Sequence, residues 1–237
     1  MKRIVIALLP LVLLVSFSLS AQEVVTSDQA VSINTPQWRI GLQVGGAYRL
    51  ASADNSNSVL KEHYKKLKKG YTYGADATRF FNDYFGIGVK YHDLHCSHSE
   101  YVTATYDDGS TESGRLSDDL DISFIGPFVS CRRMSNSGKF AWYFNIGAGY
   151  MGYRDDAMAI DSYKINGGTI GFWDEAGLDY CLTEKLSIGA SFYVANGTLT
   201  SCKLKEGTNR PEKVTLSEDE RIGLGHIGLS IGARLCF

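Results

Sequence analysis

Nowhere after Phe17 does this sequence hold an uncharged apolar stretch of the roughly 20 residues that a helix needs to cross a bilayer. Crossing by a helix in the body of the chain is therefore excluded. Proline is scarce, with 4 residues against 25 glycines, which suits sheet rather than linker. Neither sign of charge dominates: 24 basic and 26 acidic side chains give −2, so nucleic acid is not an expected partner. The 5 cysteines show no zinc-ligand spacing. Their odd number leaves at least one unpaired within the chain.

What is present starts with an export signal. Lys2 and Arg3 precede an apolar run from Ile4 to Phe17, and small residues from Ser18 to Ala21 close it. Residues 1–21 are expected to be a cleaved signal peptide, 22–37 a periplasmic segment and 38–237 one folded domain. Export permits disulfides. Cys96 and Cys202 fall in long connections on one side, yet a bond between them is not expected.

The last segment alternates strictly. Phe237, Leu235, Ala233, Ile231, Leu229 and Ile227 share one face, and Cys236, Arg234, Gly232, Ser230, Gly228 and His226 the other. An apolar face opposite a face of Gly, Ser and Arg suits a strand with lipid on one side and a crowded interior on the other. Hydropathy averages miss such strands, because their apolar residues are diluted by the alternation.

Residues 38–50 repeat the pattern, and further strands are expected at 70–81, 85–92, 119–131, 140–150, 169–181 and 186–194. In the fourth, Leu120, Ile122, Phe124 and Phe128 are read as facing lipid, opposite Asp119, Asp121, Ser123 and Cys131. Short connections at 82–84, 133–139 and 182–185 alternate with long ones at roughly 51–69, 93–118, 154–168 and 196–221. Trp38, Phe80, Phe81, Tyr84, Phe85, Phe140, Trp142, Tyr180 and Phe237 collect at the short-turn ends, as an interfacial girdle would. A soluble lipocalin-like barrel would need the opposite polarity and no girdle. Asp174 resists, sitting on the apolar face beside Phe172 and Ala176, and a β-bulge is one way to turn it inward.

These hairpins, the export signal and the terminal Arg234-Leu235-Cys236-Phe237 resemble the small outer-membrane β-barrel proteins of Gram-negative bacteria. The resemblance is to the eight-stranded type that includes the OmpA transmembrane domain and OmpX-like proteins. It implies an all-β, eight-stranded antiparallel up-and-down transmembrane β-barrel in the cell outer membrane. The implied partners are outer-membrane lipids and lipopolysaccharide, the barrel-assembly machinery that reads the terminal strand, and a surface ligand of the loops. A monomer is expected, and no peptidoglycan-binding domain. The implied role is non-enzymatic, in membrane integrity, adhesion or binding; the alternatives are a small pore or a membrane-embedded lipid A-modifying hydrolase.

Candidate chemistry is sparse. His92, Asp93, His95, Cys96, His98 and Glu100 form the densest polar group, and His92, Cys96 and His98 share a face that suits a soft metal. Without a second ligand cluster, no metal site is assigned. His95 and Ser97 resemble the His–Ser pair of lipid A deacylase barrels, but the surrounding sequence does not match, and no catalytic residue or cofactor is assigned. Arg39, Arg49, Asp76, Lys90, Asp119, Asp121, Glu175, Asp179 and Arg234 point inward by parity. Eight strands leave little lumen, so a plug of ion pairs is expected over an ion path. Lys61, Lys65, Lys66, Lys68 and Lys69, with His63 and Tyr64, make the first long connection basic and able to meet phosphates. Asn196-Gly197-Thr198 matches a glycosylation acceptor, which means little in a bacterial setting.

Overall fold

The computed structural model describes residues 36–51, 58–105, 111–159, 161–207 and 209–237. The expected signal peptide, and the segment 22–37 up to residue 35, lie outside them. The elements are β1 (Trp38–Arg49), α1 (Ser58–Lys66), β2 (Lys69–Phe80), β3 (Phe85–Thr105), β4 (Thr111–Met134) and β5 (Phe140–Ala159). They continue with β6 (Asp161–Cys181), β7 (Leu186–Leu199), β8 (Ser201–Glu206), β9 (Glu212–Thr215), β10 (Ile222–Gly223) and β11 (His226–Cys236). Strands β1 to β7 pair antiparallel in chain order, and β11 joins β7 to β1. That closes an eight-stranded ring.

Alternation explains the ring, because lipid outside and packed side chains inside reward a period of two on every strand. Trp38, Ile40, Leu42, Val44 and Tyr48 face out, while Arg39, Gln43 and Arg49 are buried inside. Exposed Trp38, Phe81, Tyr84, Phe85, Phe140, Trp142, Tyr180 and Phe237 ring one end. Phe80 does not belong with them: it points inward, 3% exposed, beneath the Arg132 guanidinium at 3.5 Å. Tyr48, Tyr71, Tyr73, Tyr91 and Tyr150 are the exposed rings toward the other end. From Trp38 to Tyr48, ordinary strand rise and barrel tilt give roughly 25 Å, the height of an outer-membrane apolar band.

The short turns are built as their sequence suggests. Asn82 Oδ1 accepts from the backbone N–H of Tyr84 at 2.8 Å and of Phe85 at 2.7 Å, and Thr183 Oγ1 accepts from Leu186 at 3.0 Å. Gly138 supplies the left-handed residue, φ 67°, of the β4–β5 turn.

Two expectations are corrected at the other end. The stretches 93–118 and 154–168 are largely strand, because β3–β4 and β5–β6 continue their ladders from Leu94↔Ile122 to Thr105↔Thr111 and from Tyr153↔Gly167 to Ala159↔Asp161. Residues 51–69 include α1, and 196–221 folds back as β8, β9 and β10 along β6 and β7. Passing from β7 to β8, the register against β6 moves by one residue. This bulge lets both Leu199 and Cys202 point inward.

The fourth strand is also corrected. Leu120, Ile122, Phe124 and Phe128 are buried in the interior, while Ile125 and Val129 face lipid and Asp119 and Asp121 face outward above it. Pro127 donates no backbone hydrogen bond, and the β4–β5 register resumes unchanged at Phe128↔Gly147. Asp174 has no bulge: it pairs in unbroken register with Ile146 and Val194 and remains on the outward face.

Candidate functional site

The lumen is filled in layers. Near the short-turn end, Arg132 donates to the carbonyls of Pro36 at 2.6 Å and Asp83 at 3.2 Å. Above it, Arg39 reaches Asp76 at 3.4 Å and Thr78 at 3.3 Å, and its guanidinium stacks over the Tyr143 ring at 4.5 Å. Arg234 meets Asp179 at 2.7 Å and donates to the Tyr143 hydroxyl at 2.5 Å. Lys90 donates to Glu175 at 2.8 Å, and Asn145 donates to the same carboxylate at 3.0 Å. Gln43, its amide oriented to match, accepts from Lys90 at 2.9 Å and donates to the other Glu175 oxygen at 3.3 Å.

Lys90 to Glu175, Arg39 to Asp179 and Arg234 to Tyr143 each join strands three places apart round the ring. Opposite walls are thus tied together. Buried charges demand such partners. Seven of the nine charges expected inside are there; Asp119 and Asp121 are not.

Next comes an aromatic knot. Trp173 stacks on Tyr193 at 4.5 Å and 14°, and His92 packs against Trp173 at 4.5 Å and His226 at 5.8 Å. Toward the outside the filling turns apolar, with Leu94, Cys96, Leu120, Ile122, Met151, Leu199, Cys202 and Leu224 in one buried cluster. Leu67, just past α1, enters it from the rim. Cys96 and Cys202 are both free thiols within this cluster, as are Cys131, Cys181 and Cys236 elsewhere.

The rim gathers the remaining polar chemistry. His92 and Cys96 belong to the knot and the apolar cluster, so they do not join His98 in a metal set. Instead α1 brings His63, fully buried, to His98, with ring centroids 5.0 Å apart. His63 Nδ1 lies 3.2 Å from Glu100 Oε1, and its Nε2 lies 2.5 Å from Asp118 Oδ2. Lys66 donates to Glu100 Oε2 at 3.1 Å, and that ammonium, ahead of His98 and His63, holds the Glu100 carboxyl below its usual range. Deeper in the rim, burial and then the Asp118 carboxylate push Asp155 up to about 6, although Tyr153 donates to it at 2.9 Å. The sequence does not group His63, Asp118 and Asp155, since only the tertiary fold brings α1 over β3 and β4.

On the outer face, His95 Nδ1 meets Asp121 at 2.7 Å and Asp119 at 3.4 Å, and its ring packs on Tyr71 at 4.9 Å. Ser97 lies exposed, and the ring nitrogen near an oxygen is engaged by aspartate rather than by serine. Asp93 accepts from Tyr91 at 3.2 Å. Of the lysine run, Lys65, Lys66 and Lys69 are exposed, and Lys68 lies over the Tyr48 ring at 5.9 Å. The Lys61 side chain lies outside the described residues. Asn196 stands exposed on β7.

Comparison with known proteins agrees with the ring. A family model described as an outer membrane protein β-barrel domain matches residues 9–205. No curated protein sequence matches. OprG from Pseudomonas aeruginosa is similar at 14% identity and TM-score 0.52, over 86% of this chain and 97% of that one. A major outer membrane protein from Thermus thermophilus is similar at 10% identity and TM-score 0.53, over 84% and 99%. Neisserial surface protein A is similar at 16% identity and TM-score 0.49, over 85% and 97%. The likenesses to OprG and to the Thermus thermophilus protein carry the fold and no activity.

Proposed function

The chain belongs to the outer membrane protein β-barrel family, and on that premise we propose that it is a closed, non-enzymatic barrel acting at its outer rim. One observation carries this reading: the lumen is bridged from wall to wall by Lys90–Glu175, Arg39–Asp179 and Arg234–Tyr143. A chain that fills its channel with paired charges has committed its interior to rigidity rather than passage. What remains for interaction is the surface above the tyrosine level.

There the lysines have a natural counterpart. Lys68 over Tyr48, with Lys65, Lys66 and Lys69 beside it, stands at the level where outer-leaflet lipopolysaccharide carries its phosphates. The hairpins β3–β4 and β5–β6, raised beyond that level, are the surfaces offered to a ligand outside the cell.

Planar bilayers test the closed lumen. Purified protein should leave conductance at baseline, and discrete steps that grow with protein added would overturn the reading. Lysine contacts are read separately: charge removal by Lys65→Gln, Lys68→Gln and Lys69→Gln together should reduce the melting-temperature gain on adding lipopolysaccharide.

A further inference from the structure

We infer that His63, His98 and Glu100 form a binding site for a divalent transition metal of the zinc type, clamping α1 to the outer hairpin. His63 comes from α1, while His98 and Glu100 come from β3. Their ligand atoms all lie within 4.8 Å of one another. His63 Nδ1 to Glu100 Oε1 is 3.2 Å, and His98 Nε2 to Glu100 Oε2 is 3.5 Å. Ligand atoms about 2.0–2.1 Å from a tetrahedral zinc stand about 3.3 Å from each other. The two edges to the carboxylate, one to each oxygen, thus have the length of zinc polyhedron edges, and the ligand nitrogens of the two imidazoles lie within 4.8 Å, so they need only draw together on the ion.

Protons point to the same place. Asp118, acceptor-only when ionised, takes the Nε2–H of His63 at 2.5 Å. In the neutral imidazole that carries its proton on Nε2, the Nδ1 lone pair then faces a Glu100 oxygen at 3.2 Å. Two acceptors at that separation need a cation between them. His98 Nε2, on the other side of the carboxylate, is buried and makes no hydrogen bond. A carboxylate behind a ligating imidazole is also the arrangement that orients metal-bound histidines.

Two imidazoles and one carboxylate select zinc, nickel, cobalt or copper rather than calcium or magnesium. Three protein ligands leave one position for water. Lys66 donates to Glu100 Oε2 at 3.1 Å, occupying one lone pair of that oxygen and leaving others for the ion. The competing cation is a proton on Nδ1, which would make His63 an imidazolium held between two carboxylates.

The test uses the full mature chain, refolded without a histidine tag and stripped with chelator. Zinc chloride is titrated at pH 7.5 against a chromogenic zinc chelator, and cobalt chloride is followed by its visible absorption. The expected result is one zinc per chain, tetrahedral cobalt bands, and protection of the α1 segment from protease by zinc. His98→Asn should abolish binding, and Asp118→Asn should weaken it about 10- to 100-fold. Heat-modifiable gel mobility reports folding of each variant's barrel independently of the rim. Absence of saturable binding in the folded wild type overturns the proposal, as does binding unchanged in both His63→Asn and His98→Asn. Protease protection that follows acidification and ignores zinc also overturns it, in favour of the imidazolium.

Discussion

Lys90 on β3 and Glu175 on β6 touch at 2.8 Å across the barrel, each almost wholly withdrawn from solvent. Removing one partner leaves a lone buried charge, so Glu175→Gln should destabilise the barrel by about 3–5 kcal/mol. Lys90→Met with Glu175→Met, which removes both charges, should recover most of that loss. Urea-induced unfolding in detergent, followed by tryptophan fluorescence, measures the series. A double variant as unstable as the single one would show that the pair contributes more than mutual neutralisation.

Glycine at 177 makes room for Tyr143. A Cβ built there would fall into the Tyr143 ring, whose hydroxyl is held by Arg234. Gly177→Ala should cost about 1–3 kcal/mol, as overpacking does. Coupled with Tyr143→Ala, the added methyl should cost almost nothing, and a lowered heat-modification temperature reads the difference.

Asp174 lies between Phe172 and Ala176 on the lipid-facing side. An acidic side chain in the apolar band is costly, though less so than the roughly 2–4 kcal/mol of a basic one. Asp174→Leu should stabilise the protein by up to about 2 kcal/mol, seen as a higher urea midpoint in phospholipid bilayers.

Asp155 gives a pH dependence whose sign follows from burial. Its folded value of about 6 lies above the ordinary 3.8, so the folded state holds the proton more tightly than the unfolded chain. Stability therefore rises as pH falls from about 6 toward 4 and is lowest above 6. Asp155→Asn keeps an acceptor for Tyr153 and should raise the melting temperature at pH 7.5. Wild type and variant should converge near pH 4, with a gap on the order of 3 kcal/mol or less at neutral pH.

The lipid-embedded half was legible because its environment writes a period of two into every strand. Phe237, Leu235 and Ile231 read correctly for that reason. The fourth strand misleads because the upper lumen is itself apolar: Leu120, Ile122 and Phe124 look lipid-facing but pack on Trp173 and Leu94. Above the membrane no lipid enforces alternation, so 93–118 reads as loop although ladder hydrogen bonds carry it as strand. The same mistaken parity puts Asp119 and Asp121 inside. The rim site was legible only in part: His98 and Glu100 stand in the dense polar group of β3, but His63 and Asp118 are 55 residues apart and meet only once the first long connection folds back over β3 and β4.

Closure stops before the strands do. β2 pairs with β3 only as far as Tyr71↔His95, whereas β3 continues with β4 to Thr105. Among the described residues, that upper length of β3 has ladder partners on one side only, while α1 packs on its inward-facing side chains His98 and Glu100. That border of about ten residues, held clear of the lipid, offers its backbone hydrogen bonds to any extended strand that reaches it.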